Sequence, residues 1–167
     1  NETVYSVLKK ADASMTNIIL HEHDIKGCIG DFGCFFSTPG KCIFDDVARE
    51  IPEQYVESDL VVFITPVTFG GFSARFAKAY DRIVIQLESH LFMSSEGEIH
   101  RKKRYNTTYP SLLAIGIEET GNMENRDVFK TLVQRNAFHH LFAPARRCVF
   151  LTTEDIKQDE MTTTIQN

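Results

Sequence analysis

The stretch that decides the fold is "LVVFITPVTFGGFSA", residues 60–74. Its opening run, Leu60 to Ile64, is apolar without a break, the pattern of a strand covered on both faces in a parallel sheet. Pro66 is expected to end that strand. Gly70 and Gly71 then allow close approach of the backbone to a ligand, and Thr68 and Phe69 offer a hydroxyl and an aromatic edge to something flat. Ser73 stands where a helix N-cap belongs. A strand-to-helix turn whose glycines only satisfy geometry would explain the same residues, so the flanking sequence has to decide.

Downstream, the spacing predicts a helix from Ser73 through "ARFAKAYDRIVIQL", with Phe76, Tyr80, Ile83 and Leu87 along one side. A polar hairpin or loop, "SSEGEIHRKKRYNTTYP", leads to a buried run, "SLLAIGI". "NMENRDVFKTLVQRNAFHHL" predicts a further helix with Val128, Leu132, Val133 and Phe138 inward, and "RRCVFLTT" a last strand containing Cys148. Upstream, "ETVYSVLKKAD" places Val4, Val7 and Leu8 on one helical face, and Ile18 to Leu20 form a short β-branched run. Val47, Ile51 and Tyr55 then have helical spacing interrupted by Pro52. Strands alternating with helices argue for an open, mostly parallel α/β sheet with helices on both faces. Such sheets bind ligands beyond the carboxyl ends of their strands, which directs attention to residues 27–46, 65–73 and 116–123.

A chain of 167 residues, 43% of them hydrophobic, is long enough for one domain with a real core. The net charge of −5 is spread along the sequence apart from the run Arg101–Arg104, so nucleic acid is not the expected partner. No apolar run spans a bilayer and no secretory leader opens the chain, which points to the cytoplasm and away from membranes. In a reducing compartment, cysteines are reactive, metal-bound or buried rather than paired. Cys28, Cys34 and Cys42 cluster in one glycine-rich segment, and their spacing fits no common zinc knuckle even if His21 and His23 are added. A redox role would need a lowered thiol pKa, which nearby Asp31 opposes. No residue is assigned to a metal.

Thr65 to Ala74 resemble the "TPVYFGGMSA"-like loop of the flavodoxin-like NAD(P)H-dependent FMN reductases, with Thr68 where relatives carry an aromatic residue. "RFAKAYDRI", "EGEIHRKKRYNTTYPSLLAIG" and "LVQRNAFHHLFAP" resemble later parts of the same family, in the branch that includes iron–sulfur flavoproteins. The resemblance implies a flavodoxin-like three-layer sandwich with a parallel sheet, as a single domain over residues 1–167. It implies electron transfer through FMN, with NADH or NADPH as co-substrate and a small-molecule acceptor or redox protein as partner. The ring contacts it implies are Pro66, Val67, Thr68, Phe69, Gly70, Gly71 and Ser73. Gly116, Glu118 and Glu119 would flank the other side, although the two carboxylates serve equally well as solvated groups. Hydride moves to the flavin itself, so no catalytic side chain is named.

The iron–sulfur branch carries a compact four-cysteine run, which Cys28, Asp31, Cys34 and Cys42 resemble at three positions. Iron–sulfur clusters favour soft thiolates, so Asp31 disfavours one here, and the segment is read instead as a lid over the flavin site. The family's first strand and phosphate-binding loop have no counterpart before Val4. The expectation is truncation at the N-terminus, and a short C-terminus as well, or else a rearranged fold. A flavin-free module of the same fold is the competing reading. Relatives assemble as homodimers or homotetramers, and exposed apolar residues near Phe92 and Met93 suit such a contact.

Overall fold

The computed structural model describes residues 13–95 and 97–156. The helix read over Glu2–Asp12 lies outside them. At the centre, β1 (Leu60–Thr68) pairs in parallel with β5 (Ser111–Glu118), and β5 with β6 (Arg146–Thr152). Their near-continuous apolar composition is what a parallel ladder buried in a domain requires. The short β2 (Gly71–Phe72) folds back antiparallel on the end of β1, giving the order β2-β1-β5-β6. A separate antiparallel hairpin is formed by β3 (Leu87–Met93) and β4 (Ile99–Lys103).

The α-helical elements that accompany the sheet include α1 (Gly33–Phe36), α2 (Ile51–Glu57), α3 (Ala74–Asp81) and α4 (Met123–His139). Ser73 caps α3 as the sequence predicts, and its hydroxyl accepts the Phe76 amide at 3.4 Å. Asn122 caps α4 in the same way at 3.1 Å from the Asn125 amide. Pro52 is accommodated in the first turn of α2, where its missing N–H removes no helical bond. The buried side chains of α2, α3 and α4, among them Tyr55, Phe76, Phe129 and Val133, share one core with Phe63, Leu112 and Ala114 on one face of the sheet. Each such aromatic or aliphatic side chain, fully buried, stabilises the fold by about 1.5–3 kcal/mol.

Several predicted boundaries shift. Pro66 lies inside β1 rather than ending it, because among the described residues β1 has a ladder neighbour on one side only over most of its length, and such an edge tolerates a lost N–H. The helix after Ser73 stops at Asp81 and tightens to a 3-10 turn over Arg82–Gln86, so that Leu87 begins a strand. The β-branched run Ile83-Val84-Ile85 explains the early stop. Ile18 to Leu20 enter no ladder among the described residues. Arg75 Nη1 instead donates to the carbonyls of Leu20, His21 and His23 at 3.4, 2.9 and 3.4 Å, taking acceptors a strand would need. The inner face of α4 is Phe129, Val133 and Ala137 rather than Val128 and Phe138, both of which are exposed.

Candidate functional site at the carboxyl edge of the sheet

The carboxyl ends of β1 and β5 meet the start of α4. β1 turns into β2 through Phe69 and Gly70, whose φ values of 49° and 76° are both positive. That is the signature of a two-residue type I′ hairpin, with Thr68 opposite Gly71 and Val67 opposite Phe72. The two central amides of such a turn stay outside the ladder. One side of the tip is docked, because Gly70 is buried against α4 and a side chain there would meet Val128 at 2.7 Å. The other side is open: Phe69 is 95% exposed. A phenylalanine in a left-handed conformation and in solvent gains nothing from packing, and such outliers cluster at functional sites.

Thr65 fixes this hairpin to α3. It is buried, and its Oγ1 accepts the Ser73 amide at 3.2 Å and bonds the Ser73 hydroxyl at 3.1 Å. Across the edge, β5 ends at Glu118, a buried carboxylate that accepts from Arg126 Nε at 2.6 Å. Arg126 also lies over the Phe150 ring, 5.2 Å from its centroid. The first turns of α4 thus touch both loops and hold them beside one another.

A family model for NADPH-dependent FMN reductase matches residues 2–115, about two thirds of the chain. The chain belongs to that family. It is therefore a flavin-dependent NAD(P)H oxidoreductase by descent. Among solved structures, an azoreductase from Bacillus anthracis str. Sterne is similar at a TM-score of 0.62 and 15% identity, covering 98% of this chain and 81% of that one. Azoreductase AzrA is similar at 0.61 and 16%, covering 99% and 83%. At these identities the likeness carries the flavodoxin-like fold. No curated protein matches the chain.

Of the ring contacts that membership in the FMN reductase family suggests, Pro66, Thr68, Phe69 and Glu119 are exposed at this edge, and Val67, Gly71 and Ser73 are half-buried beside it. Three others lie inside. Gly70 faces Val128, not open space, so a valine at that position would disturb packing as well as any ligand. Gly116 is a core glycine whose missing side chain leaves room for Val67 and Phe150. Glu118 is held by Arg126, which leaves Glu119 as the free carboxylate of the pair. Thr65, which positions the hairpin, stands out only in retrospect as the hydroxyl preceding the turn.

The cysteine segment is not a lid over this edge. Its ends are tied at the far end of α3, where buried Arg82 donates to Lys26 O at 3.1 Å, Phe44 O at 3.1 Å and Asp46 Oδ2 at 2.9 Å. Its middle packs against the approach to the amino end of β5: Arg101 lies 4.8 Å from the Phe35 ring centroid, and Gly40 sits against Tyr105. All four cysteines are free, and Cys28 is exposed. Burial, followed by the nearby Cys42 and Asp31, pushes the Cys34 thiol up, the opposite of what a reactive thiolate needs. The ligand atoms of Cys28, Asp31, Cys34 and Cys42 are not gathered into one cluster among the described residues.

Proposed function

We propose that the FMN ring is held at the β1–β2 hairpin, against Thr68, Phe69 and Gly71 with Glu119 across the edge, and that the enzyme passes reducing equivalents from NAD(P)H to a planar aromatic acceptor of the quinone or azo type. The observation that carries this reading is the outward display of Phe69 on a left-handed turn at the carboxyl edge of a parallel sheet. The residues present fit a flavin ring: an aromatic face, an exposed threonine hydroxyl and two amides outside the ladder offer stacking and hydrogen bonds to a flat heterocycle with a polar rim. Bound FMN would supply the hydride chemistry, so the protein's task is to place and orient, without a dedicated acid or base. Thr65, Ser73 and Val128 hold the hairpin in register for that task.

Titrating the chain with FMN and following flavin fluorescence tests the reading. Phe69→Ala should weaken FMN about tenfold, the effect of losing one aromatic contact worth ~1.5 kcal/mol. NADPH oxidation should depend on added FMN and rise with a quinone or an azo dye. Absence of measurable FMN affinity, or equal affinity in parent and variant, would overturn it. The exposed side chains of Leu91, Met93 and Ile99 on the β3–β4 hairpin support assembly with a second copy of the chain. Sedimentation showing only monomer at micromolar concentration would remove that part.

A further inference from the structure

Away from the carboxyl edge, the β3–β4 hairpin meets the last turn of α4 through three side chains with ligand chemistry. One ligand atom each from Glu98, His100 and His139 lies within 4.8 Å of the other two. The two imidazole Nδ1 atoms face each other at 3.0 Å, in rings whose centroids are 4.5 Å apart. His139 Nε2 lies 3.3 Å from Glu98 Oε2, and His100 Nε2 lies 3.6 Å from the same oxygen. His139 Nε2 is sealed from solvent and has no hydrogen bond of good geometry.

A proton count shows what this group lacks. Two neutral imidazoles carry two N–H protons, and a carboxylate carries none. One proton settles the Nδ1 pair and the second settles one contact with Glu98. The remaining contact then sets a bare imidazole lone pair towards a carboxylate. A further positive centre among these atoms would satisfy that contact.

We propose that Glu98, His100 and His139 bind a divalent transition-metal ion of the zinc class, which ties the β3–β4 hairpin to the C-terminal turn of α4. Two imidazoles and a carboxylate are a recurrent donor set for this class. Metal–ligand bonds of about 2.0–2.1 Å in a tetrahedron place ligand atoms roughly 3.3 Å apart. The contacts of Glu98 Oε2 with the two Nε2 atoms, at 3.3 and 3.6 Å, lie at and slightly above that value; ligation through both Nε2 atoms leaves a proton on each Nδ1, so the rings part from their 3.0 Å contact as the ion enters. Arg135 now bonds Glu98 at 2.9 Å, but its side chain is 60% exposed and can turn to solvent when a cation enters. The site opens on a cleft of about 480 Å³ lined by Ile99, Asn136 and His140, which leaves a coordination position for water.

The test uses the purified chain with Co²⁺ and Zn²⁺ alone. One equivalent of Co²⁺ should bind with visible d–d bands and no thiolate charge-transfer band, Zn²⁺ should displace it, and Zn²⁺ should raise the melting temperature. His100→Ala and His139→Ala should each weaken Zn²⁺ by about a hundredfold or more, since even a residue that only supports a ligand is worth up to that factor. Glu98→Gln, which keeps shape and removes charge, should do the same without disturbing the fold. Arg135→Gln should hold or raise the affinity, because a competing cation is gone. No saturable binding by the parent, a thiolate band in its Co²⁺ spectrum, affinity unchanged in both Glu98→Gln and His139→Ala, or weakened binding in Arg135→Gln would each overturn the proposal.

Discussion

The segment Leu20–Asp46 and the β1–β5–β6 ladder pack on the same helix, α3, and are held there in different ways. Phe63 of β1 meets Phe76 edge to face, with ring centroids 5.0 Å apart, inside a core built from alternating strand positions. The segment contains only one four-residue helix and a 3-10 turn, and Ile25 is its deepest anchor, against Ala48 and Ala79. Beyond the packing of Phe35 under Arg101, much of its order comes from two cations of α3 and its end, Arg75 and Arg82, which collect backbone carbonyls and one carboxylate. A ladder is specified many times over by backbone pairing and periodic burial. The segment hangs on a few long-range polar contacts, so a single substitution should separate the two regions.

Arg82→Met should give the largest effect. Arg82 is 1% exposed, and its loss leaves Asp46 without its cation; breaking a buried pair in this way costs about 3–5 kcal/mol. Hydrogen exchange should rise across residues 20–46 well before residues 60–68 and 111–118. Equal loss of protection in both would mean that the two regions form one cooperative unit. Gly116→Ala attacks the ladder instead. The new Cβ would meet Val67 Cγ2 at 2.7 Å and Phe150 at 3.0 Å, and overpacking of this kind costs about 1–3 kcal/mol. Denaturant melts should show the loss, and Val67→Ala in the same chain should recover much of it.

Acid should divide the regions more gently. Burial alone would push Asp46 up, but the hydrogen bonds from Arg82 and from the Lys26 amide hold its carboxyl below the ordinary 3.8. The folded pKa is depressed, so the stabilisation is present above 3.8 and is lost as pH falls through the folded value. Exchange in residues 20–46 should therefore accelerate at the acid end before the ladder responds, and Asp46→Asn should abolish that step. Phe69→Ala is the smallest change in stability, within about 0.5 kcal/mol for a surface side chain, yet it should weaken FMN. A variant that unfolds would show that Phe69 packs against something in solution.

The ladder was legible because Leu60–Ile64, Ser111–Ile117 and Arg146–Thr152 announce themselves by composition and by the Ser73 cap. Periodicity placed Phe76 and Ile83 correctly but put Val128 and Phe138 on the wrong side of α4, since a helix with apolar residues at several phases does not identify its own buried stripe. The tight turn at Phe69 and Gly70 is readable from its paired glycines, whereas Gly116 and Glu118 are not readable as interior groups. Their burial depends on Val67, Phe150 and Arg126, and no local pattern connects those residues. The Arg82 network was out of reach for the same reason: its partners lie 36 to 56 residues away. Glu98 and His100 share an alternation that a reader could notice, but His139 joins them only through the fold.

The turn at Phe69 also bears on rates. Thr68 and Gly71 fix its backbone from one side and Val128 from the other, so a ligand arriving at this proposed site would have little main-chain motion to arrest. What remains is the rotamer freedom of one aromatic side chain, about 0.5–1.5 kcal/mol of ordering entropy. Encounter with the edge should then be governed by diffusion and orientation, nearly the same for every flat aromatic of similar size. Discrimination among such ligands should appear in how long each one stays.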